Sequence, residues 1–534
     1  MVFEPFKRGV CMERKKDYIL CVVSAVIGIV IFAVAGINKR ITFCDEVYTY
    51  MIVNSSNAAY QFVEGEWYTR EQVTDMLAHT GTDSMVQMLR NVKGDPHPPL
   101  YYGLVYIASL IGGANLTRWT ALSVNGLMYI GTIVMLWLAV YKAAGSSIAA
   151  SVSALVYALN AGVISDAMLL RMYMQLSFFT IAFAYVTLLL YKDKDRMLYY
   201  VLLGIIAAGG FLTQYYFCFI AILFFCVWLV YNLVKKSYKR IVKYLVSMVC
   251  AVAADTIVWH YWIGTLLSNN NSGAIRENAL NFANLANSLF RGIMTVQLVL
   301  FQRWYIAGAV IALCIVALTL ISKKAAQIFP EIRLYVGTLA IVVFLYAAVV
   351  YQLTPSYLMS GRYYYAAVCL ELMLLAVCVS VLVRAYVPDK TIGKVAKSVV
   401  AVVCVAADII ILVFGYGIDY YTDASEYDKQ TEVLEEYADI PWVLCGDENW
   451  QLTANFFDYA IPEKIMRITD ESEYREEPLL ENADSFLVAA RTNDENSGGD
   501  AALYYYIGCT GRFVRSELLM ERNGVSYYVA YPDK

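Results

Sequence analysis

The sequence FCDEVYTY, residues 43–50, follows the first long apolar segment and carries two adjacent carboxylates, Asp45 and Glu46. A second stretch, DPHPPLYY at residues 95–102, places His97 among three prolines. Proline fixes its own φ angle and biases the residue before it toward extended backbone, so the second stretch predicts a rigid turn. A partly buried carboxylate can accept a proton from a hydroxyl group as that hydroxyl attacks carbon. Together the two stretches indicate a site that activates a hydroxyl.

The composition around these stretches is that of a membrane protein. Of the 534 residues, 60% are hydrophobic and 16% are charged, and the mean hydropathy is +0.53. Apolar runs near bilayer length recur along the chain, which a soluble protein of this size would not show. We therefore predict an all-α polytopic membrane protein with about eleven transmembrane helices, at residues 18–37, 118–141, 146–161, 169–190, 197–213, 215–234, 243–263, 293–321, 332–351, 364–386 and 398–416.

Charge is unevenly distributed along the chain. Residues 418–534 hold 9 basic and 25 acidic residues, a net charge of −16, whereas the remainder holds 32 basic and 20 acidic residues, a net charge of +12. If residues 118–141 run inward, every dense basic loop falls on one side, as the positive-inside tendency requires. This topology predicts a cytoplasmic N-terminus and an acidic C-terminal region outside the plasma membrane. It leaves no basic face for nucleic acid, which excludes that class of partner.

The domain organisation follows from the change in composition at residue 418. Residues 1–417 are predicted to form the membrane domain, with a first external loop at residues 38–99, and residues 418–534 a small extracytoplasmic α/β domain. Asn523-Gly524, between two β-rich runs, is a strong signal for a two-residue hairpin. The other predicted strands of this domain cover residues 441–445, 464–469 and 485–490, and residues 449–459 are predicted to be helical.

The apolar segment Leu100–Ile111 is too short to cross a hydrocarbon core of about 30 Å. We interpret it as a helix at the membrane interface, with Tyr101, Tyr102 and Tyr106 in the aromatic belt. The alternative, a short transmembrane span, would invert the topology of everything downstream.

Three arginines are expected at the outer edge of the membrane. Arg118 begins the second predicted span, Arg171 lies one turn into the fourth, and Arg362 precedes the tenth. The planar guanidinium group matches phosphate oxygens, although any single interfacial arginine is commonly explained by snorkelling. Asp166, in a predicted short external turn, is close enough in sequence to pair with Arg171.

Carboxylates inside membrane spans are functional candidates by default. For Asp255, Glu371 and Asp408, however, we predict structural roles, each with a hydrogen-bond partner on a neighbouring helix, because no basic residue lies at matching depth. The cysteines give no metal-binding spacing. Cys445 and Cys509 both lie in the acidic C-terminal region, where a disulfide and two free thiols are both compatible with the sequence.

The chain resembles the GT-C membrane glycosyltransferases, in particular the family 39 type that includes the protein O-mannosyltransferases and the lipid A aminoarabinose transferase. The resemblance rests on the acidic pair Asp45-Glu46, on HPPLYY at residues 97–102, on Arg118 and on Arg171-Met172-Tyr173. It covers residues 18–240 well and the later helices in outline.

The resemblance implies transfer of a hexosyl or pentosyl group from a polyprenyl-phosphate donor to an extracytoplasmic glycan, lipid or protein hydroxyl, with inversion at the anomeric carbon. Asp45 is then the candidate general base, and Glu46 is its neighbour shaping the acceptor or ion site. His97 stands where relatives have a histidine or lysine near the phosphate.

The remaining roles implied by the resemblance concern substrate binding. Arg118 and Arg171 are candidates for holding the lipid phosphate, and Tyr102 belongs to the same motif as His97. Arg362 has no counterpart in the family and rests on its charge alone. Metal use differs within the family, so a divalent cation stays an open alternative, and no other cofactor is implied.

Two other classes of function compete with a transferase. A flippase or transporter for lipid-linked sugars predicts inverted repeats and paired charges at mid-membrane, whereas this sequence shows isolated carboxylates and polar groups at one face. A sensor or assembly protein would use its helices only as an anchor, for which eleven spans are excessive.

Overall fold

The computed structural model describes residues 6–54, 62–77, 84–112, 117–192, 195–268, 277–278, 281, 284–354, 360–387, 391–418, 424–446, 450–468, 478–491 and 513–532. The chain divides into two compact units. Unit 1 comprises Met1–Ile37, Asp95–Tyr101 and Leu122–Asp419, and unit 2 comprises Asn38–Gly94, Tyr102–Ala121 and Tyr420–Lys534. The sequence interpretation assigned residues 38–99 to the membrane domain, but most of this loop belongs to the same unit as the C-terminal region.

The α-helices are, in chain order, α1 (Phe6–Asn38), α2 (Cys44–Asn54), α3 (Arg70–Asp75), α4 (Ser84–Gly94), α5 (Leu100–Ile111), α6 (Arg118–Ala144), α7 (Ser147–Leu159), α8 (Ala161–Met168), α9 (Tyr173–Lys192), α10 (Met197–Thr213), α11 (Phe217–Val234), α12 (Tyr238–Val258), α13 (Trp262–Ser268), α14 (Leu285–Phe301), α15 (Tyr305–Ile321), α16 (Lys323–Ile328), α17 (Ile332–Leu353), α18 (Tyr365–Tyr386), α19 (Thr391–Phe414), α20 (Ala424–Glu435), α21 (Trp450–Ala454) and α22 (Pro478–Glu481). Short 3₁₀ segments cover Gln302–Trp304, Gly361–Tyr364 and Phe456–Ala460.

The transmembrane helices predicted from sequence are present as helices. Among the described residues, 9 helices are long and apolar enough to cross a membrane, or 10 if α7 and α8 form one bent span. The predicted span at residues 197–213 corresponds to α10, which is shorter than these but apolar. Helix α5 has the predicted bounds Leu100–Ile111 and is likewise too short to count as a span.

Unit 1 is a helical bundle with α9 near its centre. In α9, 83% of the most apolar window is buried, against 6% in α19, which is apolar yet faces outward and therefore suits a lipid environment. Close helix contacts use small residues: a Cβ at Gly292 of α14 would lie 2.4 Å from the carbonyl oxygen of Ala347 in α17. Such small-residue contacts are typical of membrane helix packing.

Polar residues separate two pairs of consecutive helices, and the second separation interrupts the predicted span at residues 293–321. Asn160 adopts an extended conformation between α7 and α8, and its side chain accepts a hydrogen bond from the Gly162 amide, so it ends one helix and caps the next. The two helices meet at a bend of 61°. Gln302 has a positive φ of 49° and separates α14 from α15. Its side chain bonds the main chain of Tyr416 and Gly417, which compensates for the interrupted helix.

Unit 2 contains a six-stranded sheet in the order β1-β3-β2-β4-β6-β5 within the part of the chain that is described. The strands are β1 (Trp67–Thr69), β2 (Trp442–Cys445), β3 (Lys464–Ile468), β4 (Phe486–Arg491), β5 (Phe513–Arg522) and β6 (Val525–Pro532). Strand β2 is parallel to β3 and β4, and the other pairs are antiparallel. The central strands are buried on both faces, as their continuous apolar sequence predicts.

The sheet confirms the predicted strands and the hairpin, and adds a strand that the sequence did not predict. Asn523 and Gly524 join β5 to β6 with φ angles of 47° and 77°, as a type I′ turn requires. Strand β1, from the first loop, pairs with β3 in register Trp67–Met466. Trp67 also packs against the sheet's apolar cluster around Val443 and Phe486. The first loop is therefore part of the C-terminal fold. Cys445 is buried in β2, and Cys509 lies outside the described residues.

A candidate active site in two groups of residues

In unit 2, Asp45 and Glu46 lie in the first turn of α2, where the helix dipole favours negative charge. The carbonyl oxygen of Phe43 accepts hydrogen bonds from the amides of Glu46 and Val47, which starts the helix directly after the apolar residue. Asp45 is half-buried, whereas Glu46 has no exposure. The two neighbouring carboxylates therefore have different surroundings.

Glu46 forms a buried ion pair with Lys39. The ammonium nitrogen of Lys39 lies 2.8 Å from Oε1 and 2.9 Å from Oε2 of Glu46, and neither side chain is exposed. Burial lowers the pKa of the Lys39 ammonium below its ordinary value, although Glu46 acts in the opposite direction. Because its charge is matched inside the protein, Glu46 is suited to fix the start of α2, and the more accessible Asp45 is suited to proton transfer.

Arg118, the first residue of α6, lies beside a second arginine that the sequence analysis did not single out. Arg40 forms a bidentate ion pair with Asp428 of α20, with N–O distances of 2.9 and 2.8 Å. Arg118 is close enough to interact electrostatically with both residues. The hydrogen bonds from Arg40 hold the pKa of Asp428 below its ordinary value, despite a half-exposed side chain. Unit 2 thus places two guanidinium groups near one carboxylate.

The surroundings of the tyrosines in α5 differ from those predicted. Tyr101, Tyr102 and Tyr106 were expected in an interfacial aromatic belt, but all three are buried within the protein. The prediction was wrong because the periodicity of a short apolar helix does not distinguish lipid from protein as its surroundings. Tyr102, a candidate substrate-binding residue, is fully buried in this structure.

In unit 1, His97 is bonded to Asp95, which the sequence analysis did not select. One carboxylate oxygen of Asp95, Oδ1, accepts from the main-chain amide of His97 at 2.9 Å and lies 2.7 Å from ring atom Nδ1. Burial raises the pKa of the Asp95 carboxyl, but the charge and hydrogen bonds of His97, with the charge of Arg171, outweigh burial and hold that pKa below its ordinary value. The signal was available, since aspartate commonly bonds the amide two residues later.

Arg171 joins His97 and Asp95. Its Nη2 atom lies 3.3 Å from Nδ1 of His97, and only 3% of the residue is exposed. The sequence placed Arg171 inside a helix, but α9 begins at Tyr173, so Arg171 lies in the break after α8. This break is held by Asn125, which donates to the carbonyl oxygens of Ala167 and Leu169.

The same asparagine connects the break to the proline-rich turn. Tyr101 donates to Oδ1 of Asn125 at 3.2 Å, and Tyr101 follows the turn that carries His97. A buried network of this kind fixes the geometry of the groups that it joins. The structure therefore brings together His97 and Arg171, two of the candidate substrate-binding residues, with Asp95 as a third member.

Asp166 differs from its prediction in both place and partner. It was expected in an external turn, beside Arg171, but it lies inside α8 and is fully buried. It accepts a hydrogen bond of 2.5 Å from Ser177. The helix was missed because eight residues between two breaks give too short a periodic pattern.

Arg362 lies in a 3₁₀ segment next to a cluster of tyrosine rings. Its guanidinium carbon is 5.3 Å from the ring centre of Tyr363, a cation–π distance. The rings of Tyr363 and Tyr173 contact edge-to-face at 5.9 Å, and Tyr173 is two residues after Arg171. This contact connects the segments that carry Arg171 and Arg362 within unit 1.

The buried carboxylates of unit 1 were predicted to be satisfied by neighbouring helices. Glu371 accepts two hydrogen bonds from Gln297, and Asp408 accepts one from Asn160, which confirms the prediction for both. For Asp255 it was wrong, because its side chain accepts no hydrogen bond from any described residue, whereas Asp408 has one bonded oxygen and one without a partner.

The described His, Cys, Asp and Glu side chains do not form a site for a divalent cation. In the described ranges there is no group of three or more His, Cys, Asp and Glu side chains arranged to hold a metal ion. The negative charge of Glu46 is paired with Lys39, and that of Asp95 with His97 and Arg171. Neither carboxylate is therefore suited to bind a cation as well. The proposed reaction therefore contains no step at a metal ion.

No protein-family model matches the sequence, and no curated protein matches it. Among solved structures, the chain is similar to ArnT from Cupriavidus metallidurans bound to undecaprenyl phosphate, with 12% identity, a TM-score of 0.51, and 95% of this chain and 97% of that chain covered. Apo ArnT gives 13% identity, the same coverage and a TM-score of 0.48. The oligosaccharyltransferase AglB from Archaeoglobus fulgidus gives 13% identity, 89% and 69% coverage, and a TM-score of 0.47.

The ArnT match with a TM-score of 0.51 extends over almost the full length of both chains. At 12% identity the match shows a shared fold and does not identify the substrate. The chain is thus a multi-pass membrane protein with the GT-C fold of membrane glycosyltransferases, as its sequence predicted.

Proposed function

We propose that the protein is a membrane glycosyltransferase that moves a sugar from a polyprenyl-phosphate donor to a hydroxyl of an extracytoplasmic acceptor. The observation that carries this proposal is the buried Arg171 beside His97, in a fold shared with a protein that binds undecaprenyl phosphate. The planar guanidinium group matches phosphate oxygens, and a phosphate ester is the anion that a GT-C fold would bring to Arg171 and His97.

The proposed reaction is a single displacement with inversion at the anomeric carbon. The acceptor oxygen forms a bond to that carbon while the bond from carbon to the phosphate oxygen breaks, and its electron pair stays on the phosphate. The acceptor proton moves to Asp45, which is half-buried and lies at the positive end of α2. Arg171 and His97 stabilise the charge that develops on the leaving phosphate. Arg118 and Arg362 are proposed as further contacts to anionic groups of the substrates.

The proposed orientation places the N-terminus in the cytoplasm and the C-terminal region outside. The acidic C-terminal region and the one-sided basic loops support this orientation. Single cysteines introduced at Asp75 and at Lys236 would test it with a membrane-impermeant thiol reagent, in a background whose other exposed cysteines are replaced. We expect labelling of intact cells at position 75 only. Labelling at position 236 instead would contradict the orientation.

The direct test is turnover of defined donors. Purified protein in lipid nanodiscs is incubated with a panel of polyprenyl-phosphate sugars and a membrane-glycan acceptor fraction, and release of polyprenyl phosphate is measured. We expect release from at least one donor, with an inverted linkage in the product. A folded protein that releases lipid phosphate from none of the donors would contradict the proposal, and movement of intact donor across the bilayer would favour a flippase.

A further inference from the structure

Asp95 contacts His97 at two points, the main-chain amide and the imidazole ring. A single oxygen of Asp95 accepts from both the amide and the ring of His97, at 2.9 and 2.7 Å. The side chains of both residues are only 16% exposed. The main-chain bond fixes where the carboxylate sits, and the ring bond then fixes how the imidazole is turned.

The proton in this contact belongs to the ring. An ionised carboxylate can only accept hydrogen bonds, and the low pKa of Asp95 keeps it ionised. A separation of 2.7 Å between Oδ1 and Nδ1 is therefore stable only if Nδ1 carries hydrogen. This tautomer leaves Nε2, on the opposite side of the ring, as the nitrogen available to another group.

Arg171 is the neighbour that competes with this assignment, and the shorter contact decides between the two. Nη2 of Arg171 is 3.3 Å from the same Nδ1, so its positive charge lies beside the carboxylate that the ring contacts. Tyr215, which is buried, also interacts electrostatically with Asp95. Arginine can only donate, so a hydrogen bond from Arg171 would need Nδ1 without hydrogen, but its contact of 3.3 Å is weaker than the 2.7 Å contact to the Asp95 carboxylate, which needs hydrogen on Nδ1.

We propose that Asp95 is a positioning residue that holds His97 with its proton on Nδ1 and presents Nε2 to the substrate phosphate. When the ring gains a second proton, Nδ1–H keeps its hydrogen bond to Asp95, and Nε2–H donates to a phosphate oxygen. The identity of the ligand rests on the proposed function, whereas the state of the ring does not. The two can therefore fail separately.

The ring state can be measured because the chain has only 3 histidines. Protein labelled with ¹⁵N in the histidine rings is placed in nanodiscs at alkaline pH, where neutral rings report their tautomer. The signals of His97 are those lost in His97→Gln, and those of His260, which is exposed, serve as an internal reference. We expect His97 to carry its proton on Nδ1, opposite to the Nε2–H form that neutral histidine prefers in water. An Nε2–H form in the wild type would overturn the proposal.

Two substitutions separate the hydrogen bond from the charge. Asp95→Asn keeps an acceptor oxygen, so we expect the Nδ1–H form to persist, whereas Asp95→Ala should return the ring to Nε2–H. An unchanged tautomer in Asp95→Ala would show that Asp95 does not set it. If Asp95→Ala does not fold, the wild-type spectrum still decides the question, because it alone can show the opposite tautomer.

Binding of undecaprenyl phosphate, used as the probe, tests the functional part. We expect Asp95→Ala to weaken binding roughly tenfold or more, as loss of a charge-assisted hydrogen bond predicts, and Asp95→Asn to weaken it less. Unchanged affinity in Asp95→Ala would overturn the role toward phosphate even with the expected tautomer. Absence of binding to the wild type would instead contradict the proposed function.

Discussion

Both carboxylate oxygens of Glu46 contact the ammonium group of Lys39, seven residues earlier, at 2.8 and 2.9 Å, in a pair without solvent exposure. This pair separates the roles of two adjacent acidic residues. Glu46 is fixed by a matched charge, and Asp45, one residue before it, keeps a half-buried carboxylate. The first proposal about the site, that Asp45 rather than Glu46 accepts the proton, follows from this difference.

Lys39→Met should destabilise the protein strongly. Removal of one partner leaves the Glu46 charge buried without compensation, which typically costs about 3–5 kcal/mol in the free energy of unfolding. The double variant Lys39→Met/Glu46→Leu should recover most of this loss, since it removes both charges. Thermal unfolding in detergent measures both effects.

The matched control is the more exposed pair Arg40–Asp428, with 51% of the Asp428 side chain accessible. Asp428→Asn should change the free energy of unfolding by less than about 1 kcal/mol, because water screens exposed ion pairs. Equal effects of Lys39→Met and Asp428→Asn would show that burial of the first pair contributes nothing.

The stability contribution of Asp95 should depend on pH. Its pKa is lower in the folded protein than the ordinary value of about 3.9, so the ionised form is stabilised by folding. This contribution is fully present above about pH 4 and is lost as the pH falls through the lower, folded value. The difference in melting temperature between the wild type and Asp95→Asn should therefore be constant at neutral pH and shrink in acid. A difference in melting temperature that grows in acid would contradict the lowered pKa of Asp95.

Arg171→Gln should weaken binding of undecaprenyl phosphate by about 10- to 100-fold, the usual effect of losing a hydrogen bond to a charged group. The control is Arg291→Gln, since Arg291 is exposed on α14 and donates a hydrogen bond to Asn287 of the same helix. Isothermal or fluorescence titration in nanodiscs compares the two. Equal affinities for both variants would remove Arg171 from the phosphate site.

The hairpin between β5 and β6 gives a prediction for the C-terminal fold. Gly524 has a φ of 77°, and a Cβ there would lie 2.6 Å from the side chain of Gln451. Gly524→Ala should cost about 1–2 kcal/mol, because left-handed backbone is unfavourable for a residue with a Cβ. Gly94→Ala, at a position with open space, is the control and should be close to neutral. Thermal unfolding that shows no difference between them would contradict the turn geometry.

Elements with a strong local pattern were predictable from the sequence. Helix α5 has the predicted bounds, and strand β2 and the Asn523-Gly524 hairpin lie where periodicity and turn chemistry placed them. In each case the determining residues are neighbours in the chain.

What the sequence could not predict depends on distant residues. Arg40 and Asp428 are 388 positions apart, and nothing in either local sequence specifies the other. Strand β1 has three residues, too few for a periodic signal, and exists because β3 offers it an edge. The expected approach of Asp45 to His97 stays a prediction, since the two residues belong to different units.

The central claim is that Asp45 takes the proton from the hydroxyl group of the acceptor substrate. The rate of polyprenyl phosphate release by Asp45→Asn tests this claim most directly. The matched control is Asp75→Asn, an exposed aspartate of the same loop, and donor binding is measured alongside. The account predicts a rate at least about 100-fold below that of the control, as loss of a general base requires, with donor affinity retained. A rate equal to that of the control would contradict it.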